Sequence, residues 1–294
     1  MTMQRSHEAP REDGIESLKT DVAWPILSEK NHSAPSVFQA QALLDQARRQ
    51  KGLPLVPVPD ICILDPDGDI IRRLKRTAAG HLHEGWACYH TELFTFELNG
   101  VGRVGIVGCA VGASFAVLVA EQLFASGCKL LISVTSAGRI TDHGPTPYFV
   151  LIERALRDEG TSYHYLPPST FAEAPDQSLL ARVAQSLAAH SDIVVHCGAT
   201  WTTDAPYRET ETAIEAARAY GVLAVEMESA ALYAFGVAAE KAVLCFAHVT
   251  NSMAQCESDF EKGEEDGVAA TLAVVASAAL VWVSNAGSVY RPKA

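Results

Sequence analysis

The segment Lys129-Leu130-Leu131-Ile132-Ser133-Val134 constrains the fold most, because it is a nearly unbroken apolar run with none of the alternation of a strand that faces water. Short continuous runs of this kind are strands buried on both faces, the environment of a parallel sheet covered by helices. Ile61-Cys62-Ile63-Leu64, Val104 to Val107, Tyr148 to Glu153, Ile193 to Cys197 and Val243 to Val249 supply further strand candidates. Helices are expected over Ile70 to Thr77, Phe115 to Ala125, Asp176 to Ala188 and Glu211 to Tyr220, from the Glu-Met-Glu stretch onward, and from Val268 to Val283. Asn99-Gly100 is a hairpin signal between strands expected around Cys88 to Leu98 and Val104 to Val107. Strands alternating with helices place the chain in the α/β class, and 294 residues suit one such domain with an extension.

Residues 1–58 read as that N-terminal extension, with one helix and a Pro-rich linker, ahead of a main domain over 59–294. Ser36 is the expected N-cap, with Val37, Phe38, Leu43, Leu44 and Ala47 as an apolar stripe and Arg48-Arg49-Gln50-Lys51-Gly52 as the stop. Pro54, Pro57 and Pro59 follow as an extended linker. Met1 to Gly14 has no apolar core and does not read as a secretory signal. A net charge of −12 argues against a nucleic-acid partner. The run from Val268 to Val283 falls short of the roughly 20 residues that cross a bilayer, so no membrane partner is expected. Seven cysteines without a C-x-x-C pair fit a reducing, cytoplasmic setting.

Four stretches carry chemistry. Glu226-Met227-Glu228 sets two carboxylates at the start of an apolar helix, where they either complement the helix dipole or hold a polar ligand. Gly108 to Ser114, with Gly112 inside it, joins a strand to a helix and so forms a candidate anion site or a tight βα turn. Thr135-Ser136-Ala137-Gly138 ends the central strand, where open α/β sheets bind ligands. Thr202 to Thr210, with Tyr207 and Arg208, is a polar loop after a strand. His164, between Tyr163 and Tyr165, reads equally as a ligand contact or a core histidine. His81, His83 and Glu84 lack a further ligand cluster and read as a solvated turn, so no metal is expected. Ser114 lacks the G-x-S-x-G context of a nucleophile elbow.

Gly108 to Ser114, the strand ending in Ser136-Ala137-Gly138, and Val225-Glu226-Met227-Glu228-Ser229-Ala230-Ala231 resemble, in order and spacing, the nucleoside phosphorylase-I family. The resemblance covers about residues 60–285. Asp158-Glu159-Gly160-Thr161-Ser162-Tyr163-His164-Tyr165 and Asn251 are similar to the uridine phosphorylase branch, Asn251 standing where purine-cleaving members carry an aspartate. The resemblance implies a three-layer αβα sandwich with a twisted mixed β-sheet, and a dimer or hexamer in which a neighbour completes each site. It implies a nucleoside as substrate and phosphate as co-substrate, with no other cofactor. Glu228 would hold the ribose hydroxyls, Met227 would line the sugar, and Glu226 would support the helix start. Arg208 and Tyr207 would meet the base, and Ser136, Ala137, Gly138, Gly112, His164, Asn251 and His90 complete the expected site.

The sequence departs from this family at the phosphate. The turn reads Leu64-Asp65-Pro66-Asp67-Gly68, the strand position of one family arginine is Ser133, and Cys88-Tyr89-His90-Thr91-Glu92 contains none. Arg72, Arg73 and His90 are the candidate substitutes for those guanidiniums. Three readings follow: phosphorolysis of a pyrimidine nucleoside, hydrolysis with water in the place of phosphate and Asp65 or Asp67 as base, and nucleoside binding without turnover.

Overall fold

A computed structural model of the chain describes residues 26–28, 30–189, 193–252 and 260–289. The expectation for residues 1–14 lies outside these. The elements in chain order are α1 Ala40–Lys51, β1 Ile61–Asp65, α2 Asp69–Thr77, β2 His81–Leu82, β3 Phe94–Leu98, β4 Gly102–Gly108, α3 Ala113–Ala125, β5 Leu130–Arg139, β6 Tyr148–Asp158, β7 Phe171–Glu173, α4 Gln177–Ala188, β8 Val195–Thr203, α5 Glu211–Ala219, β9 Val222–Glu226, α6 Ser229–Ala238, β10 Ala242–Asn251 and α7 Val268–Val289. This is the expected α/β fold with a mixed sheet and helices packed on it.

The strands form one sheet in the order β10-β6-β8-β9-β5-β1-β4-β3-β2, with β7 on β6. β10 pairs with β5 as well as with β6, which closes β5, β10, β6, β8 and β9 into a ring. β5 is its hub, parallel to β1 and β10 and antiparallel to β9. At its carboxyl end Gly138 lies between Val225 of β9 and Asn251 of β10, so three separated stretches of sequence meet at one edge. The apolar character of Leu130 to Val134, interrupted at Ser133 alone, follows from its place, since each of these residues is buried among neighbouring strands and helices.

Several strands run farther than their apolar cores predict. β5 continues to Arg139, β6 to Asp158 and β8 to Thr203. The additional residues of β8 are Gly198, Ala199, Thr200, Trp201, Thr202 and Thr203, whose polar atoms find partners in the fold: Thr200 and Thr202 donate to Glu226, and the Trp201 indole donates to Asp158. Polar residues with partners of this kind do not end a strand.

The first helix departs from expectation at its start. It begins at Ala40 behind an extended Gln39, and Ser36 donates its hydroxyl to the Phe38 carbonyl, closing a local turn that leaves Val37 and Phe38 exposed. Leu44 and Ala47 do pack inward, against Ala87, Leu53 and Ala125. The last helix reaches Val289, beyond the apolar run that ended at Val283. The stretch Glu264–Ser284, which joins the 3-10 turn Glu264–Gly267 to most of this helix, is long and apolar enough to cross a membrane by length and composition. Val274, Val275, Ala278 and Ala279 are nonetheless buried in the main core, and the helix packs against α4.

Tyr233 pins α6 to the ring. Its side chain is fully buried, and its hydroxyl donates to the Ile152 carbonyl at 2.5 Å while accepting from the Cys245 amide at 3.1 Å. Tyr233→Phe leaves both backbone groups without that partner, and an unsatisfied buried polar group costs about 1–3 kcal/mol. Thermal or denaturant unfolding of the variant is expected to show a loss of that size with an unchanged far-UV spectrum.

Candidate active site

Glu226 is the last residue of β9 and sits beneath the first turn of α6. Its carboxylate accepts from the amides of Glu228 (2.8 Å) and Ser229 (2.7 Å) and from the hydroxyls of Thr200 (3.1 Å) and Thr202 (2.5 Å). Thr202 in turn accepts from the Ala230 amide at 2.9 Å. Three amides at the start of the helix are thus satisfied by one strand end and its neighbour, as a helix N-terminus requires. Burial still pushes the Glu226 carboxyl upward, against the pull of these donors.

Glu228, two residues on, is in a different condition. Its side chain is 1 % exposed, yet only Oε1 is hydrogen-bonded, accepting from the Gly112 amide at 2.7 Å. Oε2 is buried with no hydrogen-bond partner among the described residues. Burial, then the charge of Glu226, raises this carboxyl to about 8, with the Gly112 amide and the nearby Thr135 hydroxyl opposing. Gly112 reaches it from the end of the glycine loop with φ +92°, a conformation that a side chain resists. Met227, between the two acids, is half-buried.

A second carboxylate cluster lies at the ends of β1 and β5. Asp65 is buried and accepts from the amides of Gly68 and Ile71, each at 3.1 Å, so it shapes the turn; burial lifts it to about 6. Asp67 reaches across to β5, where its Oδ1 accepts from the Ser136 hydroxyl and its Oδ2 from the Ser136 amide, both at 2.9 Å. Lys262 approaches Asp69 at 2.6 Å and Asp67 at 3.6 Å. His248 lies flat on Phe149, with centroids 4.4 Å apart, and burial followed by the charge of Lys262 lowers it to about 4, keeping the ring neutral. Asp65, Asp67, Asp69, Ser136 and His248 border a cavity of about 20 Å³.

The remaining expected residues separate into groups. Ala137 is buried and Gly138 half-buried at the meeting of β5, β9 and β10. Asn251 is buried beside Gly138 and donates to the Thr250 hydroxyl. His90 is exposed, lies edge-on to Phe115, and borders a groove shared with Gly108 and Cys109. Tyr207 and Arg208 stand on a single helical turn, Pro206–Arg208, with Tyr207 98 % exposed and Arg208 also exposed. Glu209 beside them is half-buried, and burial alone raises it to about 7. His164 is drawn away to the N-terminal segment, its Nδ1 3.1 Å from the Lys30 ammonium. Arg72 is committed to Asp69 and the Asp67 carbonyl, and Arg73 to Glu265. Lys262 and His248 carried no sequence signal, since 193 residues separate Lys262 from Asp69 and only the fold joins them.

The arrangement leaves one buried carboxylate oxygen of Glu228 without a hydrogen-bond partner among the described residues, and a separate seat whose amide and hydroxyl donors already hold the Asp67 carboxylate. A family model described as the phosphorylase superfamily matches residues 60–283. Purine nucleoside phosphorylases of the DeoD type from Bacillus thuringiensis (strain Al Hakam) and Bacillus mycoides (strain KBAB4) are each 32% identical over 132 residues, 45% of this chain and 56% of theirs. The match thus spans about half the length of these relatives. Among solved structures, uridine phosphorylase from Vibrio fischeri ES114 is similar with a TM-score of 0.62 at 22% identity, over 76% of this chain and 92% of that one. AMP nucleosidase from Bacteroides thetaiotaomicron VPI-5482 gives 0.65 at 18%, over 84% and 100%. At these identities the two structures establish the likeness of fold.

The raised Glu228 carboxyl has a consequence for stability. Its folded value of about 8 lies above the ordinary 4.5, so the native state holds an extra proton between these limits and stability falls as pH rises through about 8. Glu228→Gln retains an oxygen for the Gly112 amide and cannot ionise. The difference in melting temperature in favour of the variant is expected to widen from pH 5 to pH 8 and then level off, at about 2–4 °C for each kcal/mol.

Proposed function

The chain belongs to the phosphorylase superfamily, and we propose that it cleaves the N-glycosidic bond of a nucleoside, with Glu228 gripping the ribose hydroxyls. The observation that carries this reading is the unpartnered, buried Oε2 of Glu228 at the meeting of the strand ends. Leaving a carboxylate oxygen dry and unpaired is unfavourable unless a ligand completes it. A vicinal diol supplies two hydroxyl donors, each worth about 1.5–3 kcal/mol when the acceptor is charged. On this reading Met227 lines the sugar and Glu226 holds the helix start that aims Glu228. Tyr207 and Arg208 meet the base, and their exposure in a single chain leaves that side for a neighbouring copy to cover. Asn251 supports a pyrimidine as the base.

The acceptor in the reaction divides phosphorolysis, which the family resemblance implies, from hydrolysis. A specific observation favours water. Ser136 and the glycine loop, the groups placed to donate to an oxyanion, donate to Asp67 and Glu228 instead. The adjoining cavity of about 20 Å³ suits one water molecule, for which about 10–15 Å³ is enough. In this reaction the water oxygen bonds to C1′ as the C1′–N bond breaks, its electron pair leaves with the base, and a carboxylate of the seat takes the water proton.

Incubation with pyrimidine and purine nucleosides, with and without phosphate, is expected to release base and free ribose at a rate independent of phosphate, a pyrimidine being the better substrate. Ribose 1-phosphate as the product would replace the hydrolytic reading with the phosphorolytic one. Because Glu228 ionises near 8, kcat/KM is expected to climb with pH to a plateau above that value. Glu228→Gln should lower kcat/KM about 10- to 100-fold and flatten that climb. A variant of full activity would remove Glu228 from the ribose.

A further inference from the structure

Lys262 has no role in the reading above, and its position gives it one. It arrives from the segment after β10, which is tied back to that strand by the Glu261 amide donating to the Thr250 carbonyl at 2.8 Å. Its ammonium, with the Ser136 amide and hydroxyl, makes a set of donors suited to a tetrahedral oxyanion: a fixed N–H, a rotatable O–H and a cation. What these donors hold is the Asp67 carboxylate, whose two oxygens each take a bond from Ser136. The other cations near the seat are already engaged, while Asp65 is held by backbone amides alone. Lys262 also pairs with Asp69, Arg72 with Asp69, Arg73 with Glu265, and the His248 ring is neutral.

We propose that the Asp67–Lys262 pair determines the acceptor: Asp67 fills the oxyanion seat from within the chain and shuts out inorganic phosphate, and Lys262 is a phosphate ligand held in reserve by that carboxylate. This rests on the nucleoside-cleaving reading for its catalytic meaning, but not for its binding chemistry. A phosphate dianion entering the seat meets four aspartates, Asp65, Asp67, Asp69 and Asp266, and a cavity that admits one oxygen atom. With Asp67 neutral or shortened, the same seat presents Ser136 and a cation relieved of one of its two anionic partners.

The test is titration of the full chain with inorganic phosphate by calorimetry, together with product analysis. Wild-type protein is expected to show no saturable phosphate binding. Asp67→Ser, which shortens the side chain, and Asp67→Asn, which removes only the charge, are expected to bind phosphate at least tenfold more tightly than wild type. Adding Lys262→Met to either should abolish that gain. Nucleoside turnover by the Asp67 variants should become phosphate-dependent and yield ribose 1-phosphate. Saturable phosphate binding by wild type, or variants with native circular dichroism that gain none, would overturn the proposal. So would a gain that survives Lys262→Met. Absence of turnover on every nucleoside, with the phosphate-binding pattern intact, would instead count against the nucleoside reading alone.

Discussion

The site depends on one buried carboxylate, Glu226, and on the donors that hold it. β9 ends at this residue and α6 begins three residues later, so the chain changes direction within a single turn. Such a turn exposes helix amides, and Glu226 gathers two of them while Thr202 takes a third. Because Thr200 and Thr202 belong to β8, the same carboxylate binds two strands and a helix together. Fixing Glu226 fixes the backbone of Glu228. It also places a like charge nearby, which together with burial lifts the Glu228 carboxyl out of the ordinary range. One buried acid therefore helps to set the ionisation of the other.

Closure of the ring explains why chain stretches far apart in sequence converge on that pair. An open parallel sheet would offer the ends of neighbouring parallel strands only. Here β9 meets β5 in the antiparallel sense at Gly138, while β10 meets it in the parallel sense at the same residue. The carboxyl ends of β5, β9 and β10 consequently crowd one edge, and the loop after β4 brings Gly112 over it. Glu228, the central strand end and Asn251 are neighbours because of this crossing of directions.

How much of this was legible depended on whether the signal was local. Leu130 to Val134 reads as a doubly buried strand from its own composition, and Asp176 as a helix start from its own side chain, which accepts from the Leu179 amide. Ser36 misled because its hydroxyl closes a turn instead of capping a helix, two outcomes that the same residue type supports. The far ends of β5, β6 and β8 were hidden because threonines and charged residues read as loop until their partners are known. The acidic pair was visible, as were Ser136 and Gly112. The identity of what each donates to was not, because Asp67 and Ser136 are 69 residues apart and Gly112 and Glu228 are 116 apart.

Those two long-range contacts each hold a carboxylate of the chain, yet they leave different remainders. Asp67 has Ser136 on each of its oxygens and a cation close by, so its charge is accommodated by the protein itself. Glu228 has one oxygen satisfied and the other bare, and burial holds the group protonated well above the ordinary carboxylate range. A completed carboxylate stabilises the fold, whereas an incomplete one is costly to bury and stays protonated. The contrast between Asp67 and Glu228 follows from a single difference, the number of protein donors reaching each carboxylate.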